Sequence, residues 1–141
     1  MALSLEDAQE VLTAQPFSRL LGARLVEFAD GVAELRLDVR DDLRQQFGFV
    51  HGGVLAYLVD NAVTFAAGTA LGPAVLTGGF TINHLAPGQG RELRARAYVV
   101  HATRRQAVCR CDVVSIDEEG AETPCATGQG TVIARSSEVP T

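Results

Sequence analysis

One long apolar segment constrains the fold of this chain more than any other feature. Residues 54–71 are apolar on nearly every side, and Asp60 is the single acid among them. A helix that is apolar all round is buried inside a protein. Because such a helix needs a sheet to wrap it, the chain is predicted to be an α+β protein. The pair Asp60-Asn61 interrupts the apolar run, which argues against a membrane span.

The rest of the chain has mainly the patterns of β-strands. Residues 25–28 and 33–39 flank Asp30-Gly31, a dipeptide typical of hairpin turns. In the second arm apolar and charged residues alternate, which is the period of a half-buried strand. Four more strand-like runs follow the long helix, at residues 75–85, 92–101, 106–116 and 122–134. Short turns separate these runs and predict an antiparallel meander.

The chain ends and the overall composition complete the architecture. A helix is predicted over residues 5–14, with Ser4 as its N-cap and Pro16 ending the segment, and residues 136–141 are read as a polar tail. The length of 141 residues suits one domain, residues 1–141. The net charge of −5 argues against nucleic acid and anionic membranes as partners. An odd cysteine count and the lack of a basic-then-apolar start predict a cytoplasmic protein.

The start of the long helix is built for a ligand. Gly52 and Gly53 have no side chains, so the amide N–H groups there are open. A helix N-terminus suits an anion, or a carbonyl oxygen that becomes one during a reaction. Asp60 lies about 12 Å further along the helix, so one carbonyl cannot touch both groups of the same chain. If both act on one substrate, antiparallel helices of two chains must share the site across a two-fold axis.

Three sequence runs resemble one known family. The run from Gln45 to Asp60, with a histidine and two glycines at 51–53, resembles the signature of hotdog-fold acyl-CoA thioesterases of the PaaI-like, phenylacetate-degradation group. TGGFTINHLAPG at 77–88 and GQGTV at 128–132 resemble the strand after the hotdog helix and the closing strand. The resemblance spans residues 20–135. It implies a curved antiparallel sheet around a central helix, and hydrolysis of an acyl-CoA to the free acid and CoA.

The resemblance also implies roles for residues at the helix start. The Gly52 amide would polarise the thioester carbonyl, and His51 would shape the turn or contact the substrate. Gln45 stands where many PaaI-like members carry Asn, whereas a related group for hydroxybenzoyl-type thioesters uses Gln. Gln45 would donate to the carbonyl or orient water, and the departure leaves open the acyl group, aromatic or small to medium. The alternatives are a turn histidine and a solvated loop glutamine.

A second set of roles belongs to the middle of the helix. In the resembling enzymes the acid, here Asp60, is the nucleophile or the general base for water, and the choice stays open. Thr64 lies one turn on and would position the acid or the water. Thr77 lies in the next strand, where relatives place a serine that helps to hold the attacking water. The structural alternatives are an acid satisfied by a backbone or Tyr57 hydrogen bond, a Thr64 hydroxyl bonded to the carbonyl four residues back, and Thr77 as a simple strand former.

Arginines are the candidates for the phosphates of CoA, because all 12 basic residues are Arg. Arg104 and Arg105 lie in a tight turn where relatives bind these phosphates. Arg91, Arg94 and Arg96 are the reserve candidates, and Arg94 and Arg96 share one strand face. No metal or redox cofactor is implied, since CoA is part of the substrate.

Other chemistry-bearing residues have simpler interpretations. Cys109 and Cys111 face the same way on a strand and are expected to be buried, since no second ligand pair with zinc spacing follows. His84 and His101 are expected to be ordinary strand residues.

Two other functions remain beside an acyl-CoA thioesterase. They are a hotdog hydratase or dehydratase, and a non-catalytic acyl-CoA-binding module, which would not need Asp60. A homodimer is the expected minimal active unit, and a homotetramer is its expected larger assembly.

Overall fold

The computed structural model describes residues 3–135, which form one six-stranded sheet and three α-helices. In chain order the elements are α1 (Leu5–Thr13), α2 (Pro16–Leu21), β1 (Arg24–Ala29), β2 (Val32–Asp38), a 3₁₀ turn (Asp41–Leu43), α3 (Gly52–Leu71), β3 (Val75–His84), β4 (Glu92–Ala102), β5 (Gln106–Ile116) and β6 (Glu122–Ala134). The predicted polar tail at 136–141 lies outside the described residues.

The sheet is antiparallel throughout, in the order β1-β2-β4-β5-β6-β3, and it curves around α3. This arrangement confirms the predicted α+β class and the hotdog fold. The prediction of a simple meander is wrong at one connection, because β3 pairs with β6 and not with β4. The reason is the length of α3, about 30 Å at 1.5 Å per residue, which carries the chain to the far edge of the sheet. The chain then returns to place β4 beside β2.

Local signals in the first third of the chain are mostly confirmed. Ser4 caps α1 in a capping box with Asp7, whose side chain accepts the Ser4 N–H. Asp30 and Gly31 both have positive φ in the β1–β2 turn. The predicted helix does end before Pro16, but the sequence did not indicate that Pro16 begins a second helix, α2. Proline fits the first turn of a helix, where its missing N–H would have had no partner.

The long helix is buried on most sides but not on all. Ten of its 20 residues are buried, mainly against the inner face of the sheet. The prediction of burial all round is wrong for one stripe, whose members are partly exposed: Ala56, Tyr57, Asp60, Asn61 and Thr64. These positions follow the helical repeat, so they form one face that the chain's own sheet does not cover. We call this face the uncovered stripe.

The apolar character of α3 also bears on the question of a membrane span. By length and apolar composition alone, α3 could cross a bilayer, contrary to the expectation from Asp60-Asn61. In this structure, however, half of its most apolar stretch is buried inside the protein. Packing is tight where β6 crosses the helix, because a Cβ at Gly128 would lie 2.6 Å from Val59 Cγ1. A glycine at this position is therefore what allows β6 and α3 to pack.

Candidate active site

A chain of hydroxyl groups holds the Asp60 carboxylate. Thr77 Oγ1 donates to Asp60 Oδ1 at 2.6 Å, and Thr64 Oγ1 lies 2.8 Å from Thr77 Oγ1. Among residues 3–135, Asp60 Oδ2 has no hydrogen-bond partner. One carboxylate oxygen is therefore fixed, and the other is free to accept a proton or to attack. The alternative of an acid satisfied by a backbone group or by Tyr57 is wrong, since the partner is the Thr77 side chain.

Thr64 shows both of the contacts considered for it from the sequence. Its hydroxyl lies 2.8 Å from the Asp60 carbonyl oxygen, four residues back, and 2.8 Å from Thr77 Oγ1. The Thr77 proton goes to Asp60, so the single Thr64 proton lies between two acceptors, the Asp60 carbonyl oxygen and Thr77 Oγ1. Thr64 thus buttresses the residue that orients the carboxylate.

A bulge in β3 turns Thr77 toward Asp60. The pairing register with β6 shifts between Thr77 and Gly79, leaving Gly78 as the extra residue. Before the shift the partly buried positions are Val75 and Thr77, and after it they are Phe80 and Ile82. A regular strand ending with Phe80 and Ile82 inward would place position 77 on the opposite face. The bulge therefore decides that the Thr77 hydroxyl meets the carboxylate.

The N-terminus of α3 has a histidine cap. His51 Nδ1 accepts the Gly53 N–H at 2.8 Å, so in the neutral ring the proton is on Nε2, which is left as a donor. A Cβ at Gly53 would lie 2.9 Å from His51 Nδ1, which explains why a glycine follows here. The cap therefore both starts the helix and presents an imidazole N–H beside it.

The Gly52 amide is the free donor of this helix end. Within the described part of the chain its N–H has no hydrogen-bond partner, whereas those of Gly53 and Val54 are both occupied. The His84 ring, at the end of β3, lies 3.4 Å from the position a Gly52 Cβ would take. His84 therefore borders the space over Gly52, a neighbourhood that the sequence did not indicate, because β3 is separated from the loop by the whole of α3.

Gln45 uses its carbonyl oxygen locally. Gln45 Oε1 accepts the Phe47 N–H at 2.6 Å and the Phe49 N–H at 3.3 Å, which closes the loop before α3. Its Nε2 has no acceptor among residues 3–135. The side chain is thus neither a free loop glutamine nor fully occupied, since it retains a donor on the same loop as Gly52.

The predicted site residues fall into two groups along α3. Asp60, Thr64 and Thr77 form one hydrogen-bonded group, which we call the acid half-site. Gln45, His51 and Gly52 lie in and after the preceding loop and form the second group, which we call the amide half-site. Within one chain the two are separated by about 12 Å of helix, so the fold does not bring them together. The first group offers a carboxylate, and the second offers N–H donors.

The candidate arginines for CoA binding differ in whether they form ion pairs. On the outer face of the sheet Arg94 pairs with Glu122 at 2.6 Å, and Arg96 pairs with Glu27 at 2.6 Å. The hydrogen bond from Arg96 holds the pKa of Glu27 below its ordinary value. By contrast, the side chains of Arg104 and Arg105 are exposed in the β4–β5 turn, with no ion pair in the described part of the chain. Of these four arginines, Arg104 and Arg105 keep their charge available for an added anion. The third reserve candidate, Arg91, also has no ion pair among residues 3–135, and its side chain donates to the Asp117 carbonyl.

The cysteines belong to the core. Cys109, Cys111 and Cys125 are all fully buried, as predicted for the first two. Burial raises the pKa of Cys109 and of Cys125 to about 11, and it raises the pKa of Cys111 as well. A thiol that stays protonated is a poor nucleophile, so these side chains act as small apolar groups.

Comparison with known proteins points to one family. Residues 47–122, more than half of the chain, match the sequence profile of the thioesterase superfamily. A 1,4-dihydroxy-2-naphthoyl-CoA hydrolase from Listeria monocytogenes is 29% identical over 101 residues, covering 70% of this chain and 82% of that protein.

Solved structures agree with the sequence profile. A thioesterase family protein from Silicibacter pomeroyi is 31% identical with a TM-score of 0.82, covering 88% of this chain and 92% of that chain. A variant of the phenylacetic acid degradation protein PaaI from Thermus thermophilus is 34% identical with a TM-score of 0.75, covering 86% and 100%. The chain belongs to the thioesterase superfamily and is a hotdog-fold thioester hydrolase.

Proposed function

We propose that the protein hydrolyses acyl-CoA thioesters in a site shared by two chains, with Asp60 as nucleophile or general base. The observation that carries this proposal is the state of the Asp60 carboxylate. It lies on the uncovered stripe of α3, with Oδ1 held by Thr77 and Oδ2 without a partner in the described part of the chain. A carboxylate that only stabilised the fold would have both oxygens paired or solvated away from such a stripe.

The chemistry needs both half-sites. The thioester carbonyl accepts the Gly52 N–H of one chain, where the helix N-terminus stabilises the negative charge that forms on the oxygen. Asp60 Oδ2 of the facing chain removes a proton from water, whose oxygen attacks the carbonyl carbon, or it attacks the carbon itself. The C–S bond breaks and CoA leaves as a thiolate that takes up a proton. Direct attack would form an anhydride that water then hydrolyses.

Two donors complete the amide half-site. The Gln45 Nε2 group and the His51 Nε2–H are both left over after the local hydrogen bonds of that loop. Each can donate to the carbonyl oxygen or hold the attacking water. At the acid half-site, Thr77 holds one oxygen of the Asp60 carboxylate, and Thr64 supports Thr77.

The uncovered stripe supports the homodimer. β3 is an edge strand, so its outer backbone groups are open to pairing, and it carries Thr77 next to the stripe. A two-fold axis at this edge would place two α3 helices side by side and antiparallel, which brings Gly52 of one chain toward Asp60 of the other. A homotetramer built from two such dimers is the larger assembly that we propose.

The relatives support CoA and an aromatic acyl group. The Listeria protein is named as a hydrolase of an aromatic acyl-CoA, and the Thermus protein is named for phenylacetic acid degradation. We assign the phosphates of CoA to Arg104 and Arg105, which are exposed and have no ion pair in the described part of the chain. We assign no metal or redox cofactor to the reaction. We place the enzyme in the cytoplasm, because that compartment keeps thiols reduced and the three buried cysteines are free thiols.

Complementation between inactive chains tests the shared site, with release of free thiol from acyl-CoA as the assay. Gly52→Pro removes the amide donor at a position where proline fits, because Gly52 is the first residue of α3 and His51 has φ −59 and ψ 135. Mixing this variant with Asp60→Asn should restore activity, since one of the two sites in each heterodimer then has both intact halves.

Gly52→Ala is the matched control, because it keeps the N–H and its Cβ meets the His84 ring only at 3.4 Å. It should retain most of the activity, and each inactive variant should still dimerise. No recovery after verified chain exchange would show that both halves come from one chain. No thiol release by the unmodified protein from any acyl-CoA would favour the non-catalytic binding module.

A further inference from the structure

A cavity next to the acid half-site has no part in the reaction described so far. It lies between α1, α3, β1 and β3, and its volume is about 110 Å³. Its walls are largely apolar: Val11, Phe28, Phe65 and Val75. Two amide side chains, Gln15 and Asn61, also line it. An apolar pocket with a few placed polar groups is the usual form of a small-molecule site.

The two amides are connected by a directed chain of hydrogen bonds. Asn61 Nδ2 donates to Tyr57 Oη at 2.9 Å, and Tyr57 Oη lies 2.6 Å from Ser18 Oγ. Ser18 Oγ donates to Gln15 Oε1 at 2.6 Å, so its single proton is used and the Tyr57 proton must go to Ser18. Burial raises the pKa of Tyr57, which keeps that proton in place.

This chain leaves one acceptor and one donor unused. Asn61 Oδ1 accepts no hydrogen bond and Gln15 Nε2 donates none within residues 3–135. Turning both amides round together would give the same chain in the opposite direction, and it would again leave one donor and one acceptor unused at the cavity. A hydroxyl group can donate to a free amide oxygen and accept from a free amide N–H, so either unused group can bind one. The polar end of the cavity therefore matches a hydroxyl carried on an apolar body.

Thr64 connects the cavity to the reacting groups. It forms part of the cavity wall, and its hydroxyl contacts Thr77, which holds the Asp60 carboxylate. The cavity and the acid half-site thus share Thr64, so an acyl group in the cavity would lie beside the residues that hold the carboxylate. The volume is of the scale that admits one aromatic ring, since an apolar cavity of about 150 Å³ binds benzene in another protein.

We propose that this cavity holds the acyl group of the substrate, and that Asn61 and Gln15 select acyl groups that carry a hydroxyl. The inference rests on the proposed acyl-CoA thioesterase function. It adds the limit on acyl size and names two specificity-determining residues that sequence patterns did not indicate. Gln15 lies between α1 and α2, so these N-terminal helices contribute to substrate choice as well as to the core.

Gly68→Ala tests the volume of the cavity. Gly68 lines it, and a Cβ there would meet the Phe28 ring only at 3.8 Å, so the added methyl fills space without a clash. Ala also favours a helix more than Gly does, so the variant should fold. The ratio of kcat/KM for benzoyl-CoA to kcat/KM for acetyl-CoA should fall at least about ten-fold, the scale of one methyl in a tight pocket.

Ala70→Leu is the matched control, because Ala70 is exposed on the same helix and does not line the cavity. It should leave that ratio as it is in the unmodified enzyme. An unchanged ratio in Gly68→Ala would show that the acyl group binds elsewhere.

Asn61→Leu tests the polar end. It removes the unused acceptor with little change in volume, while Tyr57 keeps its bond to Ser18. The preference for 3- or 4-hydroxybenzoyl-CoA over benzoyl-CoA, expressed as a ratio of kcat/KM, should fall at least about ten-fold, because a hydrogen bond to the substrate is lost. If the unmodified enzyme has no such preference, or if the variant retains it, Asn61 does not bind the hydroxyl of the acyl group.

Phenol binding separates this inference from the thioesterase function. Phenol needs only the cavity, so it should shift the NMR signals of the Gln15 and Asn61 side-chain amides even in Asp60→Asn. The shifts should disappear in Gly68→Ala and weaken in Asn61→Leu. Hydrolysis without phenol binding would overturn the pocket and leave the enzyme assignment intact. Phenol binding without hydrolysis of any acyl-CoA would overturn the proposed function but not the pocket.

Discussion

The amide half-site and the acid half-site of α3 differ in which parts of the chain position their active groups. At the amide half-site the active groups are backbone and loop donors, and their positions follow from neighbouring residues: His51 caps Gly53, and Gln45 closes its own loop. At the acid half-site the carboxylate of Asp60 is held by Thr77, which comes from another element across a strand bulge. One half is local in sequence and the other depends on the sheet.

This difference also separates their chemistry. The amide half-site can only donate hydrogen bonds, and the acid half-site ends in a carboxylate oxygen that can only accept or attack. Each lacks what the other supplies, and about 12 Å of helix keeps them apart in one chain. The comparison therefore predicts large losses on the acid side, moderate losses in its support, and small effects at the cap.

The largest effect is expected for Asp60→Asn. The substitution keeps the size of the side chain and an acceptor for the Thr77 hydroxyl, but it removes the nucleophile or base. We expect kcat to fall by at least about 10²-fold with little change in KM. Steady-state thiol release from acyl-CoA is the measurement.

Asp112→Asn is the matched control, because Asp112 also accepts a threonine hydroxyl, that of Thr127 at 3.0 Å, outside the proposed site. Its kcat should be that of the unmodified enzyme. If Asp60→Asn has a kcat close to that of the unmodified enzyme, Asp60 is neither the nucleophile nor the general base.

The second effect is expected for Thr77→Val, which keeps the β-branched shape and removes the hydroxyl. The carboxylate then loses its 2.6 Å hydrogen bond and its fixed orientation. We expect kcat to fall about ten-fold, because misplacement of a catalytic group by a fraction of an ångström is costly. Thr77→Ser should recover most of the rate. Equal kcat in the valine and serine variants would mean that the bulge serves packing alone.

The third effect concerns the arginines. Replacing Arg104 and Arg105 together with Ala should raise KM for acyl-CoA about three- to ten-fold and leave kcat nearly unchanged, because exposed charges contribute modest binding energy. The dependence of kcat/KM on salt should also weaken. Arg96→Ala is the control, since Arg96 is already paired with Glu27 and Glu34. A rise of KM in the control alone would indicate that the phosphates of CoA bind at the outer face of the sheet.

The smallest effect is expected at the helix cap. His51→Ala removes the acceptor of the Gly53 N–H and should lower the free energy of unfolding by about 1 kcal/mol. For a chain of this size that corresponds to a drop in Tm of about 2–4 °C by calorimetry. His51→Asn keeps an acceptor and should restore most of the stability. A Tm unchanged in His51→Ala would show that the cap does not support the helix start.

Much of the fold and part of the site follow from short-range patterns. Alternation in β2, the Asp30-Gly31 turn and the apolar run of α3 each act over a few residues, so they predicted elements that the structure contains. The ion pairs of Arg94 and Arg96 and the position of the His84 ring beside Gly52 depend on residues far apart in the chain. No local period carries such information.

By itself the sequence determined that a long apolar helix would be wrapped by strands, that glycines would open its N-terminus, and that an acid would lie about 12 Å further along it. Only the tertiary structure decided that a bulge turns Thr77 toward Asp60, that one stripe of α3 is left uncovered, and that Gln15 and Asn61 meet at one cavity. The physical reason is how far apart in the chain the residues lie that determine each feature. Helical and strand periods are set by neighbouring residues, whereas sheet register, helix coverage and cavities are set by which distant segments pack together.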